Sequence, residues 1–266
     1  MKTYRTVLFG IAVLAVCLTT VTSAATRTGS ARLDAIEAPA NGGSAGTRVA
    51  EFVRMTKRAA ENGNPDAMNY LGILYGSGEE IERDPTAALY WFLKAIDRGS
   101  VDAMNNVAKL YFFGLGVPQS YSTAATWFRR AGSRGSTPAM HQLAVMFEDG
   151  LGVDWSQFAA QKYYLAAAEG GYVPAMLALG ERYSRGQGVK RDLVLAYAWT
   201  AFAVWTAESG RNMDQARYRL AVLRVALSDE KLIRAQMLSA HFLTLARLRA
   251  RGVPMKTSSA NSTGEK

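Results

Sequence analysis

The sequence predicts an all-α fold of stacked helical hairpins. Three observations carry this reading. The dipeptide Ala-Met recurs at Ala67-Met68, Ala103-Met104, Ala139-Met140 and Ala175-Met176, a step of 36 residues, which falls in the range of helical repeat arrays. Within each step two apolar stripes keep helical spacing. Between the stripes, and again after the second, glycines return in fixed columns.

The chain opens with Lys2 and Arg5, an apolar run from Val7 to Leu18, and small residues at Ser23-Ala24-Ala25. That is the pattern of a secretory signal peptide. Residues 1–25 are therefore expected to be removed, and the protein to be periplasmic or secreted. The alternative is an uncleaved membrane anchor, for which the run is short against the ~20 residues of a bilayer span. Cys17, the only cysteine, lies in this segment, so the mature chain has neither disulfide nor thiol nucleophile. Residues 26–46 include APANGGSAG and read as a flexible linker.

The repeat array is expected over residues 47–207. A partial leading unit comes first, with Phe52 to Gly63 as its second helix, followed by units starting at 67, 103, 139 and 175. In the first helix of the first full unit, Met68, Leu71, Gly72 and Tyr75 stand at i, i+3, i+4 and i+7. Met104, Val107, Ala108 and Tyr111 match them, then Met140, Leu143, Ala144 and Phe147, then Met176, Leu179, Gly180 and Tyr183. Such spacing lines one helical face, and the Gly or Ala in third place lets a neighbouring helix come close.

The second helices repeat Ala88, Trp91, Phe92 and Ala95 as Ala124, Trp127, Phe128 and Ala131, and as Ala160, Tyr163, Tyr164 and Ala167. The fourth unit has Ala196, Trp199, Thr200 and Ala203. Asp84-Pro85, Ser120, Ser156 and Asp192 precede them as N-caps, because Asp and Ser accept from free helix-start N–H groups and Pro fits the first turn. Gly78, Gly114, Gly150 and Gly186 mark the turn inside each hairpin, and Gly99, Gly135 and Gly171 close the second helices. These glycines lack the lysine and the strand of a phosphate loop. The aromatic column of Trp91, Trp127, Tyr163 and Tyr164 reads as core, not as a sugar-stacking ladder.

Beyond the array, residues 208–251 form two capping helices. The first sets Ala216, Leu220, Leu223 and Leu227 on one stripe. The second, after Ser228, is expected to bury Ile233, Met237, Leu238, Phe242, Leu245 and Leu248 over one broad face. Residues 252–266 are a polar, disordered tail. Charge is uneven: the full chain carries +9, the array is neutral, and Arg211 to Arg251 holds nine basic against three acidic residues. Arg217 and Arg224, seven apart, share one flank of the first capping helix and form the candidate basic cap.

With Ala, Leu-Gly, Tyr, Gly-x-Gly-Val, Asp, Ala, Trp-Phe, Ala and Gly in this order and at this step, the units resemble Sel1-like repeats, relatives of the tetratricopeptide repeats. The resemblance implies a right-handed α/α superhelix (a solenoid) with a concave groove. It also implies an adaptor or scaffold role in protein complexes. Two departures stand out: Glu80 replaces the second turn glycine of the first unit, and Met55-Thr56 replaces Trp-Phe in the leading unit.

No catalytic apparatus is expected. His141 and His241 are the only histidines, and neither has a metal-ligand partner at usable spacing. No serine stands in a nucleophile elbow, and neither cofactor nor metal is implied. The leading function is therefore an exported adaptor that binds a protein or peptide through its groove. The positions beside the buried stripe of the first helices are Asn69 and Ile73, Asn105 and Lys109, His141 and Val145, and Leu177 and Glu181. They vary in chemistry on a constant scaffold, as a specific binding face requires. The alternative is an envelope-assembly factor whose basic cap contacts anionic polysaccharide, peptidoglycan or lipid. A secreted hydrolase is the third reading. Nucleic acid is not an expected partner, because export removes the chain from it, and a monomer is expected.

Overall fold

The computed structural model describes residues 45–207 and 211–250. Among them it has eleven helices and no strand. The expected signal peptide (1–25) with Cys17, most of the linker, and the tail (252–266) lie outside the described residues. The chain divides into two compact units between Arg134 and Gly135.

The first unit holds α1 (Ala45–Glu61), α2 (Pro65–Ser77), α3 (Pro85–Asp97), α4 (Val101–Phe113) and α5 (Tyr121–Ser133). Helices α2 and α3 form one hairpin and α4 and α5 the next. The sequence sets the ends of each helix. The Asp84 carboxylate accepts from the amides of Thr86 and Ala87 at 3.0 and 2.9 Å, and Ser120 Oγ accepts from Thr123 at 3.3 Å. Asn64 and Ser100 do the same for α2 and α4, two caps that the sequence reading did not single out. Helix α2 ends at Gly78 with φ 73°, donating to the Leu74 carbonyl. That left-handed turn is open to glycine at little cost.

Small residues set the spacing inside the hairpins. Ala67, Ala88, Ala103, Ala108 and Ala124 have no exposed surface. A Cβ on Gly72 would lie 2.6 Å from the Phe92 ring, so the ring seats directly on the α2 backbone. Phe92 and Phe128 are buried, whereas their neighbours Trp91 and Trp127 are half-buried. The core residue of the Trp-Phe pair in these two units is thus the phenylalanine.

The second unit holds α6 (Thr137–Asp149), α7 (Gln157–Glu169), α8 (Val173–Arg185), α9 (Leu193–Thr206), α10 (Arg211–Ala226) and α11 (Asp229–Ala250). Helices α6/α7 and α8/α9 repeat the hairpin. Helix α9 differs from the other second helices: Ala196 to Ala203 are all buried, eight in succession. A helix apolar on every side must be enclosed, and α8, α10 and α11 all pack on α9. Ala216, Leu223 and Leu227 are buried and Leu220 half-buried, as their stripe predicts.

Helix α11 corrects the expectation. Ile233 and Met237 are 58 % and 70 % exposed. The helix instead packs through Ala235, Leu232, Phe242, Leu243 and Ala246, with Ser239 fully buried beside them. The reason is close approach. Small residues at 235, 239 and 246 let Phe242 stack on Trp199 with centroids 4.3 Å apart, and this choice of face turns Ile233 and Met237 outward.

Candidate functional site

The candidate binding face starts from the first helices. In the first unit Asn69 on α2 is half-buried and accepts from Asn106 Nδ2 on α4 at 2.9 Å. Asn105 is 7 % exposed, so it is not the open position that the spacing suggested. Its Oδ1 is buried and has no hydrogen-bond partner among the described residues. Ile73 and Lys109 are half-buried. Asn69 and Asn106 thus bond α2 to α4, while Asn105 on α4 is buried and short of a donor among the described residues.

In the second unit His141 on α6 is held edge-to-face between Tyr164 and Tyr172, with centroids at 5.5 and 5.4 Å. Its Nδ1 is buried without a hydrogen-bond partner among the described residues. Burial lowers its pKa to about 4, so the ring is neutral near pH 7. Val145 and Leu177 pack against the core cluster. Glu181 carries two ion pairs, to Arg185 within α8 at 2.8 Å and to Arg219 at 2.9 Å; the second ties α8 to α10. The column that looked free in sequence is therefore mostly spoken for in this unit.

Arg217 and Arg224 are exposed on α10. The cation between them, Arg219, is the one used internally. Arg249 on α11 binds both the carbonyl and the carboxylate of Glu169 at 2.7 and 3.0 Å. Part of the basic charge of the cap is consequently structural.

One polar cluster escaped the sequence reading. Arg182 on α8 is 2 % exposed. Its guanidinium pairs with Glu148 of α6. It donates to Gln157 Oε1 at 2.7 Å and Gln161 Oε1 at 3.2 Å, both on α7, and its centre lies 5.3 Å from the Tyr164 ring. Tyr164 donates to the other Glu148 oxygen at 2.8 Å. Burial, reinforced by the Glu148 charge, pushes the Tyr164 phenol up, so it stays a donor. The signal was present in the repeat itself. Arg182 occupies the column of Leu74, Leu110 and Met146, all buried. A charge in an apolar column has to bring its own partners. The cluster joins three helices, and its groups are engaged with one another, which makes it a clamp and not a reaction centre.

Among the described residues no group of three His, Cys, Asp or Glu side chains is placed to hold a metal ion, and no helix is long and apolar enough to cross a membrane.

Comparison with known proteins agrees with this architecture. A family model described as Sel1 repeat matches residues 65–100, 101–136, 137–172 and 173–203. A protective antigen of uropathogenic Escherichia coli displaying an SLR fold is similar in structure, with 27 % identity and a TM-score of 0.65. The match covers 91 % of this chain and 50 % of that one. This chain thus spans about half the length of that protein. A Sel1 repeat protein from Oxalobacter formigenes is similar over 85 % of this chain and 86 % of its own, with 24 % identity and a TM-score of 0.63. No curated protein matches the chain.

Proposed function

Because this chain belongs to the Sel1 repeat family, whose fold commonly serves protein–protein interaction, we propose that it is an exported adaptor that holds a protein or peptide segment on its first-helix face. The half-buried Asn69–Asn106 pair of the first unit carries the proposal. Joining α2 to α4, it offers amide donors and acceptors of the kind that an extended backbone needs. The half-buried Ile73, one turn on from Asn69, supplies apolar contact.

The test is retention of a partner from periplasmic extract by the immobilised mature chain. Asn69→Ala with Asn106→Ala should lower the affinity about tenfold, two neutral hydrogen bonds being worth about 0.5–1.5 kcal/mol each. Helical content should be unchanged. Asn105→Leu is the control. It should leave the chain as stable as before or more so, because it removes an unpartnered buried group, and it should leave binding intact, because the residue is buried. An Asn69→Ala, Asn106→Ala chain that binds normally would show that the pair serves the fold alone.

A further inference from the structure

Helix α10 is apolar on two opposite sides. Met213, Ala216 and Leu223 are buried, and Leu223 packs with Ala196, Tyr197 and Ala201 of α9. Across the helix, Tyr218, Val222 and Val225 stand at i, i+4 and i+7, a single stripe, and are 70 %, 51 % and 89 % exposed. Leaving three large apolar side chains in one row on a surface helix is the mark of an interaction site. Arg217 and Arg224 border this stripe on one side, with the exposed Ala221 between them. Neither arginine has an ion pair among the described residues. Arg219, on the other border, is taken by Glu181. The helix has one acidic residue, Asp214.

We propose that the outer face of α10 docks an acidic amphipathic helix of a partner protein. An apolar row of two turns matches the i, i+3, i+4 and i+7 anchors of such a helix. Two unpaired guanidiniums one heptad apart fit carboxylates on its flank, and Arg binds carboxylate in a fork that Lys cannot form. A second copy of this chain fits poorly. Antiparallel self-packing along the stripe sets Arg217 and Arg224 beside their own copies, and like charges in contact are repulsive. A bilayer surface fits poorly as well, because two valines and a tyrosine offer little of the bulky apolar face that interfacial helices bury. This surface is separate from the asparagine pair, and neither proposal depends on the other.

The test uses the full mature chain and two helical peptides with the same leucine row. One carries Glu on its flanks, the other Lys. The Glu peptide should bind at least about tenfold more tightly at low salt, and the contrast should shrink when ionic strength shortens the Debye length. Its amide shift perturbations should centre on Tyr218, Val222 and Val225. Arg217→Gln with Arg224→Gln should abolish the preference between peptides, and Val222→Glu should weaken both. All three side chains are exposed, so an unchanged melting temperature confirms that the variants fold. Equal binding of the two peptides, absence of binding, or a preference that survives the arginine changes would overturn the proposal. So would binding to anionic vesicles of phosphatidylglycerol and phosphatidylcholine without binding to the Glu peptide, or a dimer in sedimentation that Val225→Glu dissociates.

Discussion

Removing either partner of the Arg182–Glu148 pair should destabilise the second unit, and the two removals should differ in size. The Arg182 side chain is 3 % exposed and that of Glu148 29 %. Glu148→Met strands a guanidinium that water cannot reach. Breaking a buried pair in this way costs about 3–5 kcal/mol. The carbonyls of Gln157 and Gln161 stay within reach of Arg182, which places the expected loss near the lower end, about 3 kcal/mol. Arg182→Met strands a carboxylate that already meets solvent and keeps its bond from Tyr164. The new methionine would also stand where the preceding unit has the buried Met146. This loss should be about 1–2 kcal/mol, chiefly for two glutamine carbonyls that lose a donor. The double variant should be no worse than Arg182→Met, giving a coupling of about 3 kcal/mol in the cycle. Urea unfolding followed by circular dichroism, compared at constant slope, measures all three. If Arg182→Met costs as much as Glu148→Met, burial does not set the asymmetry and the argument fails.

The His141 ring gives a pH prediction. Its pKa is about 4 in the fold against an ordinary 6.5, so between these values the unfolded chain binds the extra proton. Stability should therefore fall as pH drops from 6.5 to 4, by about 3 kcal/mol for a shift of that size. His141→Leu should flatten that part of the stability–pH curve, and parallel curves for the two proteins would refute burial as the cause. Gly72→Leu drives a side chain into the Phe92 ring, and Gly180→Leu drives one into Thr200 and the Ala196 carbonyl. Each should cost about 1–3 kcal/mol or more, read as a lower melting temperature, and unchanged melting for both would contradict the close packing. Export predicts that the protein recovered from a periplasmic fraction begins near Ala25. A full-length mass recovered only with membranes would favour the anchor.

The fold was legible because the repeat samples the same positions four times. Ala67, Ala103, Ala139 and Ala175 coincide only if each meets the same neighbour, and all four are fully buried. The caps Asp84, Ser120, Ser156 and Asp192 were readable for the same reason. The binding face was less legible, because spacing fixes the direction of a side chain and not what fills the space in front of it. Asn105 and Asn69 hold equivalent places, yet one is buried and the other bonded to Asn106. Helix α11 lies outside the repeat, so no second example could choose between its faces. The leucines and Ile233 outweighed Ala235 and Ser239 in the pattern, although those small residues are the ones that let Trp199 and Phe242 stack.

The enclosure of α9 also bears on how such proteins lengthen. A hairpin array is in principle an open polymer, since each new unit covers the last and offers an equal face to the next. Here α10 and α11 occupy the flanks of α9 where the next hairpin would bind, and they do so with non-repeating side chains. Duplication of a unit can thus be accommodated before α9 but not after it. Lengthening at this end would require a helix pair that competes with α10 and α11 for Tyr197, Trp199 and Phe202. The terminal helices act as a stop codon written in packing, fixing the number of units independently of how many the repeat chemistry would allow.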